Sequence, residues 1–132
     1  IGINQLKKLK KICNIRHKNF FIYKSKLKNF WSQDSQLSLV SSFGYATFVK
    51  NRTKVFKLLK NKNIQTRPLI CGNMGQQPFL KKIIKNNNDL INANFVDKNG
   101  IYLPNHANLQ PSEIDKICKI LNTYAEPIFF KK

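Results

Sequence analysis

The chain has 132 residues, room for one domain with a modest core. Hydrophobic residues make up 42%, with ten Phe, four Tyr and one Trp, which excludes disorder over most of the chain. Lys and Arg number 24 against six Asp and Glu, a formal charge of +18, and no apolar run approaches the length of a membrane span.

In chain order, residues 3–30 read as one long helix. Ile3, Leu6, Leu9, Cys13, Phe20, Tyr23, Leu27 and Phe30 recur at mostly helical steps, and Lys7, Lys8, Lys10, Lys11 and Lys18 fall largely off that stripe. The polar stretch 31–38 reads as a loop. Residues 39–50 (LVSSFGYATFVK) have the β-branched and aromatic content of a strand, with Gly44 marking a bulge or a close backbone approach. Asn51 is placed to cap a helix over 52–62 that turns Val55, Leu58 and Leu59 inward. A short strand is expected near 64–67, where Pro68 biases Arg67 to an extended backbone. Pro78 suits the first turn of a short helix over 78–85. A helix at about 89–98 ends at Asn99–Gly100, and IYLP (101–104) is a third strand. In the last helix Pro111 and Glu113 suit the first turn, and Ile114, Ile117, Cys118 and Leu121 follow the i, i+3, i+4, i+7 pattern. The whole predicts one α/β (α+β) domain over 1–132, a short sheet of about three strands packed with helices. No GxGxxG or P-loop appears, nor a βαβ series long enough for a doubly wound nucleotide fold.

The charge has two readings. One is an electrostatic footprint for nucleic acid or another polyanion, which would make the chain a small basic nucleic-acid-binding module. The other is compositional drift, since Lys, Asn, Ile and Phe share A/T-rich codons and only Arg16, Arg52 and Arg67 are Arg. Cys13, Cys71 and Cys118 are scattered, each read as a small buried residue of a reducing compartment, and neither they nor His17 and His106 make a metal-ligand spacing.

Two stretches could hold a ligand. TRPLICGNMGQQP (66–78) carries almost no charge in a basic chain. Arg67 is a cationic fork suited to carboxylate or phosphate, Gly72 and Gly75 allow close approach, and Asn73, Gln76 and Gln77 offer amides for sugar hydroxyls. The plain alternative is a solvent loop punctuated by Gly and Pro. In YLPNHAN, Asn105 and His106 directly follow a strand, where site residues are common, although a lone His is more often structural. No Ser/His/Asp or Cys/His arrangement and no suggestive acid pair appears, so the chain reads as part of a site rather than a whole one.

IGINQLKKL, SSFGYATFVKNRTKVFKLLKNKNIQTRPLICGNMGQQP and NANFVDKNGIYLPNHANLQPSEIDKI resemble, in order and over roughly residues 1–121, the C-terminal part of the DegT/DnrJ/EryC1/StrS enzymes. These are pyridoxal-phosphate-dependent enzymes of nucleotide-linked keto sugars. The RP…GN form is most similar to the 3-dehydratase branch, which acts on GDP- and CDP-linked sugars. Typical aminotransferase members carry a His-containing segment near Leu69–Gly72, where this chain has Ile70 and Cys71.

The resemblance implies the small C-terminal domain of an aspartate-aminotransferase-like fold. It implies a truncated enzyme, consistent with Ile1 in place of an initiating Met, and an inactive fragment on its own. The cofactor, pyridoxal or pyridoxamine phosphate, would be held mainly by a large domain whose Schiff-base Lys (His in dehydratases), Asp and phosphate-binding Ser/Thr have no match here. It would act as electron sink for a carbanion on an NDP-4-keto-6-deoxyhexose. Arg67, Asn73, Asn105 and His106 would line the substrate side of the cleft. A cytoplasmic homodimer in deoxysugar or O-antigen (lipopolysaccharide) biosynthesis, with no membrane or nucleic-acid partner, completes the expectation. An apolar patch for the large domain and lysines scattered over the outer helix faces should distinguish this enzyme from a nucleic-acid binder.

Overall fold

The computed structural model describes residues 2–34, 36, 38–70, 72–83 and 90–128. Its elements are α1 (Gly2–Lys26), β1 (Gly44–Phe48), α2 (Arg52–Asn61), β2 (Arg67–Pro68), a 3-10 turn (Met74–Gln76), α3 (Pro78–Lys81), α4 (Ile91–Asn99), β3 (Gly100–Pro104) and α5 (Pro111–Tyr124). The strands form one antiparallel sheet in the order β1-β3-β2. The expected mixed α/β architecture with three short strands is the one found.

Register decides what each sheet face does. Tyr45 lies opposite Leu103 and Thr47 opposite Ile101, so these four share one face and are fully buried under the helices. There Tyr45 stacks on Tyr23 of α1 at 4.8 Å, and Ile114, Ile117, Cys118 and Leu121 of α5 close the same core with Val55 and Leu59 of α2. Ala46 and Tyr102 share the other face with Arg67, which pairs with Tyr102. Pro68, lacking an N–H, is tolerated because β2 is an edge strand.

Several expected boundaries shift. α1 stops at Lys26, although Leu27 and Phe30 remain buried in the turn that follows. Its first half is bare: Ile3, Leu6 and Leu9 are 75, 67 and 51% exposed, and its first buried residue is Asn19. Length explains this. Twenty-five residues make a rod of about 38 Å, whereas the five-residue strands it crosses span only about 17 Å. β1 begins at Gly44 in plain register with Pro104 and without a bulge, and an added Cβ there would lie 3.1 Å from the Tyr102 ring. Leu58 is only half-buried. α3 is a single turn, and residues 84 and 85 of its expected span lie outside the described residues.

Helix ends are closed by side chains from other elements. Asn51 does not cap α2 as expected. Its Nδ2 donates to Tyr124 O and its Oδ1 accepts from Glu126 N–H, both 2.9 Å, so it closes the end of α5. Arg52 donates to the carbonyls of Asp97 and Gly100, satisfying the end of α4. Gly100 ends α4 in an extended, not left-handed, conformation. An added Cβ would meet Leu69 Cβ at 2.5 Å and Val96 O at 2.6 Å, so close packing demands glycine there. At the start of α5, Glu113 Oε2 accepts from Gln110 N–H at 2.7 Å, half of a capping box.

Burial raises the phenols of Tyr23 and, to about 12, Tyr45. Both raised values favour the protonated folded form, so they add stability that is intact below pH 10 and lost as pH rises above it. Chemical denaturation followed from pH 8 to 11.5 should show that loss. Tyr23→Phe should be less stable at pH 8 by about 1 kcal/mol and fall less steeply above pH 10. Parallel curves for the two proteins would contradict this.

Candidate functional site

The site begins where β3 runs out of partners. β2 pairs only with Ile101 and Tyr102, so the polar groups of 104–106 must bond elsewhere. One face of α1 supplies them. Tyr23 OH donates to Pro104 O at 3.0 Å and Asn19 Nδ2 to His106 O at 3.3 Å. Asn105 answers in the other direction, its Nδ2 donating to Arg16 O at 3.2 Å and to Ser42 O at 2.9 Å. Arg16, Asn19 and Tyr23 are three and four residues apart, the spacing that stacks groups on one helix face. Val40 N–H donates to His17 Nδ1 at 3.1 Å, so the lead-in to β1 is tied to α1 as well, which explains why 40–43 is not strand. Asn105 is 1% exposed, while the His106 side chain is open to solvent.

The loop from Arg67 to Gln77 is shaped differently. Leu69 anchors it, buried and donating its N–H to Gly100 O at 3.1 Å. Ile70 then adopts φ 58°, a left-handed backbone that is strained for a β-branched residue, and its side chain is 66% exposed. Gly72 follows at φ 82°, with Asp97 Oδ1 where a Cβ would be. Asn73 is 4% exposed. Its Oδ1 accepts from Gly75 N–H at 2.9 Å, capping the 3-10 turn, and its Nδ2 donates to Asn94 Oδ1 at 2.7 Å, which also accepts from Gln76. Cys71, expected as a buried residue, lies outside the described residues.

Arg67, Asn105 and His106 line one open groove of about 830 Å³, between the lead-in to β2, the end of β3 and α5. Asn73 is not among its lining residues. It shapes the loop that leaves Arg67. Among the lining residues that were not foreseen are Phe43, Lys62, Lys116 and Lys119. Lys116 and Lys119 sit three apart on the polar side of α5, a spacing visible in the sequence. Phe43 lies in the stretch 39–50 whose composition reads as strand.

Among the described residues no cluster of three His, Cys, Asp or Glu could hold a metal. No described lysine side chain is buried, whereas a Schiff-base lysine is activated by desolvation. Cys118, buried as expected, has its thiol pushed up to about 12 by desolvation, which leaves it inert. Cys13 is half-buried.

Residues 1–122 match the DegT/DnrJ/EryC1/StrS aminotransferase family. The chain belongs to that family. It is 32% identical over 130 residues to a GDP-4-keto-6-deoxy-D-mannose 3-dehydratase of Escherichia coli O55:H7, covering 92% of this chain and 34% of the relative. An E. coli GDP-4-keto-6-deoxy-D-mannose-3-dehydratase solved with bound hydrated PLP superposes with a TM-score of 0.76 at 30% identity, over 91% of this chain and 33% of that one. A mutant GDP-4-keto-6-deoxymannose-3-dehydratase solved with GDP-perosamine gives 0.70 at 29%, over 91% and 33%. The chain thus spans about a third of the length of these relatives.

Asn105 ties three segments together from a buried position, so Asn105→Ala should cost about 2 kcal/mol in chemical denaturation. Asn105→Asp, which removes the donor and buries a carboxylate, should cost more. A loss below about 0.5 kcal/mol for the alanine variant would show the clip to be dispensable.

Proposed function

We propose that this chain is the C-terminal, substrate-side domain of a PLP- or PMP-dependent nucleotide-sugar 3-dehydratase or aminotransferase. Its substrate would be an NDP-4-keto-6-deoxyhexose. The observation that carries the reading is the convergence of Arg67, Asn105 and His106 on one groove in a member of this family. The rest of the enzyme would hold the cofactor, and PLP in a solved relative supports that choice. When bound, the cofactor supplies an electron sink at the reacting carbon.

The groove residues would act by position. Arg67 sits on the edge strand with its backbone fixed by the pairing to Tyr102, and offers a bidentate fork to a phosphate or sugar oxygen. His106 presents an exposed ring from a turn whose carbonyls are tied to α1. Asn105 holds that turn, and Asn73 holds the loop that leaves Arg67. A wall fixed at this many points orients substrate without reorganising, which is the domain's contribution to rate.

Two features support the enzyme over a nucleic-acid module. Exposed lysines lie on α1, α2, α4 and α5 rather than on a single stripe. The bare Ile3, Leu6 and Leu9 are the kind of patch that a preceding domain would cover. No helix among the described residues is long and apolar enough to cross a membrane. A cytoplasmic homodimer serving deoxysugar and cell-surface polysaccharide synthesis fits this reading.

In the full-length protein, Arg67→Ala should lower kcat/KM for the nucleotide-linked keto sugar at least about tenfold, a loss of about 1.4 kcal/mol of transition-state binding. Unchanged turnover would remove Arg67 from the site.

A further inference from the structure

Asn105 uses only half of its amide. It is 1% exposed, and its Nδ2 donates to Arg16 O at 3.2 Å and to Ser42 O at 2.9 Å. Both of those neighbours are carbonyls, which only accept. Turning the amide over would set oxygen against oxygen twice, so its orientation is fixed by the chain around it. Asn105 Oδ1 is left buried, with no partner among the described residues. A buried acceptor without a donor is uncommon in a folded protein, because the bond it made to water in the unfolded chain goes unreplaced.

Two more such atoms belong to the two residues that Asn105 grips. Arg16 Nε and Ser42 Oγ are also out of solvent and without a partner among the described residues. The three residues meet at one joint, where α1, the lead-in to β1 and the turn after β3 are tied together. Their needs are complementary in kind. Arg16 Nε–H only donates, Asn105 Oδ1 only accepts, and Ser42 Oγ does either. An anion is unsuited to the lone pairs of Asn105 Oδ1, and a cation is repelled by the Arg16 guanidinium. Atoms shut away from solvent also exclude anything large. A water molecule meets every condition. It donates twice and accepts twice, and an internal water characteristically makes about three bonds to buried groups otherwise unsatisfied.

We propose that Arg16, Ser42 and Asn105 enclose one structural water. It accepts from Arg16 Nε, donates to Asn105 Oδ1 and bonds to Ser42 Oγ. The side-chain ties already described fasten α1 to the end of β3, and this water completes them on the Ser42 side. It thereby helps to fix the turn that presents His106. The water belongs to the joint and not to the groove, so its presence does not depend on what the enzyme binds.

A crystal structure of the full-length protein, at a resolution that shows ordered solvent, should place one water within hydrogen-bond distance of all three atoms. Ser42 Oγ donating directly to Asn105 Oδ1, with nothing between the three atoms, would overturn the proposal. In solution, relaxation dispersion of the water signal counts molecules held inside a protein. Ser42→Thr keeps the hydroxyl and should leave that count unchanged. Ser42→Val, nearly the same shape without the hydroxyl, should lower it by one. Equal counts in the two variants would refute the water. Chemical denaturation of the same pair separates a wet joint from a dry one. Ser42→Val should unfold at lower denaturant than Ser42→Thr, because it strands the Arg16 and Asn105 atoms. A Val variant at least as stable as the Thr variant would mean a dry gap that a methyl group fills, and would also overturn the proposal. Either failure leaves the nucleotide-sugar reading standing, since it concerns how the joint is held and not what the groove receives.

Discussion

The structure depends on how the end of β3 is satisfied. Three strands make a narrow sheet, and β2 contributes only two residues to it. Past Tyr102 the central strand has a partner on one side only. Its carbonyls and the turn that follows would lose hydrogen bonds on burial, at about 1–3 kcal/mol each, unless something else supplied donors. α1 does so through Tyr23 and Asn19, and Asn105 returns a bond to the α1 backbone. These residues are more than 80 positions apart in sequence, so the bonds fasten the first helix to the last strand directly.

That fastening also makes the groove. Because β2 is so short, the chain before it is free to diverge from β3, and the space between them is closed from below by α5. The same shortage of strand that forces α1 to supply side-chain bonds leaves room for a ligand. Rigidity and opening thus share one cause. The loop after Arg67 is held by different means: a buried Leu69, a strained Ile70, a left-handed Gly72 and a capped turn at Asn73. Strain of that kind persists only where neighbours over-determine the backbone, and here Gly100 and Asp97 press on the loop from α4 and β3.

Much of this was legible in the sequence, for physical reasons. α5 declared itself through a clean 3.6-residue period, a Pro at its start and an acid in its first turn, because all three signals are local. β1 and β3 were visible through β-branched and aromatic content. The errors fall where a long-range partner overrides a local preference. Asn51 looks like an N-cap for the helix beside it but serves the end of α5, some 70 residues away. Residues 40–43 look like strand but bond to His17 and Asn105. The apolar stripe of α1 is uniform in sequence, while its burial depends on how far the sheet reaches, which no local pattern encodes. In the candidate site, Arg67, Asn105 and His106 stood out because their types are chemically distinctive. Asn73 stood out equally, and its amide caps the 3-10 turn, a role that in sequence reads the same as facing a ligand. Lys116 and Lys119 were hidden among 21 lysines.

That background of lysine makes the three arginines informative. Where composition supplies Lys by default, an Arg marks a position at which a planar, five-donor fork differs from a point charge. One guanidinium nitrogen of Arg52 reaches two carbonyls at the junction of α4 and β3, while the planar group lies 5.6 Å over the Phe56 ring. Arg16 is half-buried at the junction where Asn105 meets α1, with its Nε out of solvent. Arg67 is different in kind. It is exposed and lines the groove on an edge strand whose backbone is set by the Tyr102 pairing and by Pro68. Two of the three arginines are thus tied to structural junctions, and the third faces open space beside a cluster of lysines. Its backbone is fixed while its guanidinium is exposed on the groove, and the proposed contact of Arg67 with a ligand rests on that combination.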